Sequence, residues 1–329
     1  MIRVGIVGCG PVARSHHAPG LAALADVQIV AVCDVVEENA RQLGAVYGAT
    51  VFTDVERMLD AVELDVVDVV TSEGPRPPLL LTCLKRGKHV FTEKPLAGAD
   101  GQYHIQPSDV PQLYPIVEEW QRRGTKFGIN FNLRQSENVK WLKQAVDSGE
   151  LGTPEAIVAA THMGSTNHVI DLLRWVNGEV VEVSAAGKPS GREPTRAAHL
   201  TFANGSVGTF VNSMVTDLFF EVQYLGSEGR AVANNICGTY EVRPRDGKAG
   251  WDIEWARVWK PKSTSSQTYS GLFAQSIAQF IESVKGNGDP PATGLDGLRH
   301  MEIDAAITES FETGRRVTIE HFRPAAGSR

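Results

Sequence analysis

Nine residues near the amino terminus, GIVGCGPVA (Gly5 to Ala13), constrain this chain more than any other stretch. They place Gly8, Gly10 and Ala13 in the spacing G-x-G-x-x-A, directly after the apolar run RVGIVG and at the opening of a helix-type segment. Each position has a physical task. Gly8 permits a tight turn, Gly10 lets a pyrophosphate approach the backbone, and Ala13 lets helix and strand pack closely. The backbone from Cys9 through Pro11 and Val12 opens the helix, whose free N–H groups favour phosphate oxygens. An acid, Asp34, ends the second strand-type run in AVCD. A carboxylate there suits the ribose hydroxyls of an adenosine and repels a 2′-phosphate. The residues that follow, Val35, Val36, Glu37 and Glu38, bring no cation, so the pattern predicts NAD in preference to NADP. The competing reading is a turn that serves packing alone, with Asp34 capping the next helix.

The first third of the chain alternates strand and helix. VQIVAVCD, DVVDVVTS, KHVF and TKFGINFN read as strands, and EENARQLGAVYG, RPPLLLTCLKRG and VPQLYPIVEEWQRRG as the helices between them. VARSHHAPGLAAL reads as mostly helical despite Pro19 and Gly20. Near-continuous apolar strands alternating with helices indicate a doubly wound parallel sheet covered on both faces. Beyond about residue 132 the grammar changes. After the helix SENVKWLKQAVDSG come strand-like segments joined by turn dipeptides, Asn204-Gly205 and Asp246-Gly247, which predict an antiparallel sheet. Two amphipathic helices close the chain. One carries Phe273, Ile277, Phe280, Ile281 and Val284 on a single face; the other carries Ile303, Ile307 and Phe311, with Gly314 as its C-cap. The tail RPAAGSR reads as frayed. The expected division is a dinucleotide-binding domain over 1–132 and an α/β substrate and oligomerisation domain over 133–329.

Several function classes are excluded by bulk properties. A net charge of −7 argues against a nucleic-acid footprint or an anionic membrane surface as partner. No apolar stretch approaches bilayer-spanning length, and MIRVGIVGCG enters a strand pattern with no basic leader, so a cytoplasmic location is expected. The four cysteines are scattered and read as free thiols, the nine histidines show no ligand spacing, and no metal is expected.

The segment HVFTEKPLAG (His89 to Gly98) ends a strand abruptly in Glu93, Lys94 and Pro95. In a doubly wound sheet, ligands bind outside the carboxyl ends of the strands, so this strand delivers an acid and a base there. The alternative is a solvated Glu–Lys pair in a turn. GIVGCGPVA, AVCD, GKHVFTEKPLA, INFNLR, SGELGTPEAI, HVIDLLRWVNGE and DGLRHMEIDAAITESFETGRRVTI together resemble the glucose–fructose oxidoreductase / inositol dehydrogenase / MocA family of nicotinamide-dependent dehydrogenases over nearly the whole chain. The resemblance implies an N-terminal Rossmann domain, a C-terminal α/β domain with a large, mostly antiparallel sheet, and dimers or tetramers formed through that sheet's open face. It implies NAD-dependent hydride transfer to or from a sugar, amino sugar, keto-sugar or cyclitol, with Lys94 moving the proton. Glu93, Thr71 and Ser72 would lie at the cofactor. A lysine acting as base needs its pKa lowered by about three units, or ~4 kcal/mol.

The same resemblance extends to THMGSTNHVIDLLRWVNGE. His168 matches the family's histidine at the reacting oxygen, and Asp171 a later aspartate, but Gly164 stands where the family carries a relay aspartate. His162 or Asn167 is a possible substitute, and Thr166 or Asn167 a possible helix cap. The competing reading makes His168 a helix-end histidine satisfied by backbone. GADGQYHIQPSDVP is longer than the usual link after the EKP turn, the segment before His168 is shorter, and TSEGPRPP keeps only Thr71 of the usual pattern. Arg134, in FNLRQ, is placed to reach a polyol, carboxylate or phosphate, or to form a structural ion pair. Two other functional classes fit these motifs: a redox-neutral glycosidase or lyase using transient oxidation, and a non-enzymatic NAD or sugar sensor.

Overall fold

The structure is a computed structural model that describes residues 1–188, 195–214, 220–244, 257–260, 262 and 264–323. Six short strands, β1 (Ile2–Val7), β2 (Val27–Cys33), β3 (Thr50–Phe52), β4 (Val66–Val69), β5 (His89–Thr92) and β6 (Phe127–Ile129), form one sheet. Every pairing is parallel and the order is β3-β2-β1-β4-β5-β6. The order reverses between β1 and β4, which opens a crevice at their carboxyl ends. Helices α1 (Ala18–Ala22), α2 (Glu37–Tyr47), α3 (Val55–Ala61), α4 (Arg76–Lys85) and α5 (Tyr114–Arg123) make the connections. Parallel strands need covering on both faces, and two separate apolar clusters supply it.

The segment read as helical around Pro19 is helical with a wider turn: Ala13–His17 forms a turn of π-helix ahead of α1. Proline lacks the N–H that an ordinary turn would bond to the carbonyl four residues back, and the local widening absorbs this. The wider turn sends His17 inward, while His16 stacks outward on Phe273 at 4.4 Å between ring centroids.

The second half builds a nine-stranded sheet from β7 (Pro154–His162), β8 (Val180–Lys188), β9 (Thr195–Phe202), β10 (Val207–Ser213), β11 (Phe220–Gly226), β12 (Gly229–Asn234), β13 (Tyr240–Pro244), β14 (Arg257–Trp259) and β15 (Val317–Thr318). All pairings are antiparallel except β7 with β10, in the order β14-β13-β12-β11-β7-β10-β9-β8-β15. Asn204-Gly205 makes the predicted hairpin between β9 and β10, with Gly205 at φ +87°. Asp246-Gly247 and tail residues 324–329 lie outside the described residues. Helices α6 (Glu137–Asp147), α7 (Thr166–Asn177) and part of α9 (Gly294–Thr313) cover one face of this sheet. Alternation along the strands leaves the other face half-exposed, with Val158 and Val207 uncovered.

Helix α8 (Tyr269–Val284) returns to the first sheet. Its Ile277, Phe280 and Ile281 complete the cluster around Val4, Ile6 and Phe91, and Phe280 packs on Phe91 at 4.8 Å. Close approach explains two glycines: a Cβ on Gly20 would stand 2.9 Å from Ile277, and one on Gly128 would stand 2.6 Å from Phe280. Gly314 caps α9 in the left-handed conformation, as its spacing predicts.

Candidate active site

The crevice is built by the ends of four strands. At the end of β1, Gly8 takes φ +92°, and a Cβ there would stand 2.8 Å from the backbone of Val70 and Thr71. At Gly10 a Cβ would meet nothing within 4 Å. The first glycine is therefore demanded by the protein's own packing, whereas the second faces open space, as a backbone that receives a ligand must. Ala13 is fully buried, and Pro11 and Val12 form an exposed rim. Asp34 follows β2 and accepts from the backbone N–H of Cys9 at 2.7 Å and of Val36 at 2.9 Å. Each oxygen keeps a further lone pair for a ribose hydroxyl. Arg14, the nearby cation, is tied to the Cys9 carbonyl and to Asn39. The Cys9 thiol is buried and pushed up to about 12 by burial and by Asp34, which makes it inert packing. Thr71 presents a buried hydroxyl with no partner among the described residues, and Ser72 is exposed beside it. An open glycine cradle, an orphaned hydroxyl and an acid with spare acceptors fit a dinucleotide.

Glu93, at the end of β5, is the centre of a buried cluster. Its Oε1 accepts from Asn130 Nδ2 at 2.6 Å and pairs with His17 Nε2 at 3.0 Å, while His17 Nδ1 pairs with Asp68 at 2.8 Å. Burial pulls the His17 pKa down, but Asp68 and Glu93 outweigh it and hold the imidazolium up to about 10. Burial likewise pushes Glu93 up, and His17, Lys94 and Asn130 reverse this, to about 2. A buried guanidinium, Arg76, ties the neighbouring loops together through the carbonyls of Thr71, Glu93 and Pro95. The Lys94–Pro95 peptide is cis.

Lys94 is half-buried, and its Nζ donates to the Gln102 side-chain carbonyl at 2.9 Å. Burial lowers its pKa; Glu93 and Glu73 oppose the shift and Arg76 adds to it. Its charge is felt at two buried histidines, His168 on α7 and His300 on α9. His168 is held well below its ordinary pKa by burial and then by Lys94, which favours the neutral imidazole, and among the described residues its Nδ1 has no partner.

Other predicted residues lie elsewhere in the network. Arg134 clasps Asp171 with two bonds, at 2.8 and 2.5 Å, and spends further donors on the Pro291 carbonyl and Asp296. Of the two readings of Arg134, this geometry carries the ion pair, and it takes Asp171 with it. His168 and Asp171 leave the same helix but face different partners. Neither Thr166 nor Asn167 caps α7: the turn Met163–Ser165 leads into the helix, Thr166 Oγ1 donates to Met163 Sδ, and Asn167 reaches the Gln102 carbonyl. His162 accepts from the Gly164 N–H at 3.1 Å and is used within its own turn.

Sequence reading missed His17, Asp68, Asn130, Arg76 and Gln102. One of these was signalled: Asp68 is a lone acid in the wholly buried run VVDV, and a buried charge needs a partner. Among the described residues no helix is long and apolar enough to cross a membrane, and no group of three or more His, Cys, Asp or Glu side chains is arranged to hold a metal.

Comparison with known proteins adds to this geometry. Residues 2–107 match the oxidoreductase family with an NAD-binding Rossmann fold, and residues 158–319 match that family's C-terminal α/β domain. The myo-inositol 2-dehydrogenase of Thermotoga maritima is 27% identical, over 97% of this chain and 99% of its own. Two solved structures share the fold at low identity. One is levoglucosan dehydrogenase in complex with NADH and L-sorbose (TM-score 0.84, 18% identical, 98% of this chain and 99% of that one). The other is the WlbA dehydrogenase of Bordetella pertussis in complex with NADH and UDP-GlcNAcA (TM-score 0.81, 19% identical, 98% of both chains).

Proposed function

Because the chain belongs to the glucose–fructose oxidoreductase / inositol dehydrogenase / MocA family of NAD-binding oxidoreductases, we propose that it interconverts an alcohol and a carbonyl on a sugar or cyclitol, with Lys94 as proton carrier. The supporting observation is the placement of Lys94: a lysine of lowered pKa at the carboxyl edge of the sheet, beside a His168 whose pKa is also lowered and whose Nδ1 has no partner among the described residues. Bound NAD supplies the hydride-accepting chemistry. Gly8 to Ala13, Asp34, Thr71 and Ser72 would hold it, and the Glu93 cluster fixes the turn that presents Lys94. In the oxidation direction the Lys94 amine takes the hydroxyl proton, and His168 hydrogen-bonds the same oxygen. Polyol and sugar names among the relatives, myo-inositol and levoglucosan, support the substrate class.

The test is reduced-nicotinamide absorbance with NAD+ and a panel of sugars and cyclitols, comparing native protein with Lys94→Ala. The substitution should lower turnover about 10²–10⁴-fold, the usual contribution of general acid–base catalysis, while NAD+ binding persists. Undiminished turnover would remove Lys94 from the mechanism. Altered sugar without net NADH would point to redox-neutral chemistry. Assembly as a homodimer or homotetramer through the uncovered face around Val158 and Val207 belongs to the same proposal, and light scattering reads it directly.

A further inference from the structure

The segment between the EKP turn and α5 folds as a loop fastened at its base. The buried Asp109 carboxylate accepts from Ala99 N at 3.1 Å and from Gln106 N at 2.9 Å, so one side chain closes both ends. Ile105 anchors it in the core, and Gly101 turns it at φ +96°. The loop delivers half-buried Gln102 between two parts of the site. Its side-chain oxygen accepts from Lys94 Nζ at 2.9 Å, and its backbone carbonyl accepts from Asn167 at 3.0 Å, the residue before His168. On the α7 side, Gly164 offers no side chain, and the Tyr103 hydroxyl of the same loop stands 3.8 Å from where its Cβ would be.

We propose that Gln102 is a positioning residue for Lys94, a neutral acceptor that aims the amine at the substrate oxygen without placing a negative charge beside it. This rests on the reading of Lys94 as proton carrier. A carboxylate at the same distance would favour the ammonium form and raise its pKa, whereas an amide oxygen fixes direction with little effect on charge. The charged and titratable groups around Lys94 are Glu93 on its own turn, Glu73 and Arg76 from the β4–α4 connection, His168 from α7 and His300 from α9. Glu93 is engaged by His17 and Asn130 and, with Glu73, still opposes the lowering of Lys94, so a neutral acceptor at Gln102 adds no further carboxylate to that balance.

Competitive acetylation of the full chain with acetic anhydride, read at Lys94 by peptide mass spectrometry from pH 6 to 11, tests this without a known substrate. In Gln102→Glu the Lys94 midpoint should rise by about one unit or more. In Gln102→Ala it should stay close to native, while kcat with any oxidised polyol falls and KM changes little. An unchanged midpoint in Gln102→Glu overturns the proposal, as does an equal rise in Gln102→Ala; matching melting curves establish that both variants are folded. The two failures are separable. If Lys94→Ala makes NADH at the native rate, the reading of Lys94 as proton carrier falls, whereas a flat Gln102→Glu titration removes only Gln102.

Discussion

Two buried clusters beside the crevice, one around Glu93 and one on α9, differ in how fully their titratable groups are bonded. In the first, His17, Asp68, Glu93 and Asn130 are bound to one another by contacts of 2.6–3.1 Å. In the other, α9 buries His300 and Asp304 against Arg196 of β9, and among the described residues neither nitrogen of His300 nor either oxygen of Asp304 has a hydrogen-bond partner. Arg196 and His300 approach Asp304 only to 3.7 and 4.0 Å, and among the described residues the Arg196 side chain makes one hydrogen bond, to Thr308. Burial, and then the Lys94 charge, drives His300 down to about 3; burial raises Asp304 against the pull of Arg196 and His104. One cluster is therefore set in place by its own hydrogen bonds, and the other holds groups at the expense of stability.

Three stability measurements sharpen or break that contrast. Glu93→Gln removes the acid between His17 and Lys94 and leaves the imidazolium short of a partner; a loss of about 3–5 kcal/mol in urea unfolding is expected. A loss below about 1 kcal/mol would show the Glu93 cluster to be no better tied than the other. The pH dependence follows next. His17 titrates near 10 when folded, above its ordinary 6.5, so its contribution is full below pH 6.5 and is lost as pH rises toward 10, by up to ~1.4 kcal/mol per unit. Glu93 is lowered to about 2 from 4.5, so its contribution is present above pH 4.5 and lost as pH falls toward 2. Unfolding midpoints from pH 5 to 10 should decline in the native protein and decline less in His17→Gln. The smallest change is expected from the α9 cluster. Replacing Arg196 by Met and Asp304 by Leu together should leave stability within about 1 kcal/mol of native or raise it, since a poorly bonded buried pair contributes little net. A loss matching that of Glu93→Gln would mean these groups are well partnered in solution.

What could be read from the sequence was local. Gly8, Gly10 and Asp34 sit at strand ends whose strand–turn–helix context lies within a few residues, and Lys94 directly follows a strand that Pro95 stops, so their positions at the sheet edge were visible. Pairing across long separations was not. His17 meets an acid 51 residues away and another 76 away, and Arg134 meets Asp171 across 37. Nothing in FNLRQ announces that its arginine will be used up by the fold. The extra length after the EKP turn was noticeable, but placing Gln102 at its tip required knowing that Asp109 ties Ala99 to Gln106. The hairpin at Asn204-Gly205 was legible because a turn with positive φ restricts residue type within a few positions.

The return of α8 to the first sheet bears on the order in which the molecule can be completed. During synthesis the six strands of the parallel sheet are all available by residue 129, yet the face bearing Val4, Ile6 and Phe91 waits for Ile277, Phe280 and Ile281. At roughly 5–20 residues per second, that interval is on the order of ten seconds or more. The change of sheet between Ile129 and Pro154 is thus a boundary in architecture and not in assembly: the nascent chain carries an uncovered apolar face until α8, about 150 residues beyond β6, has emerged.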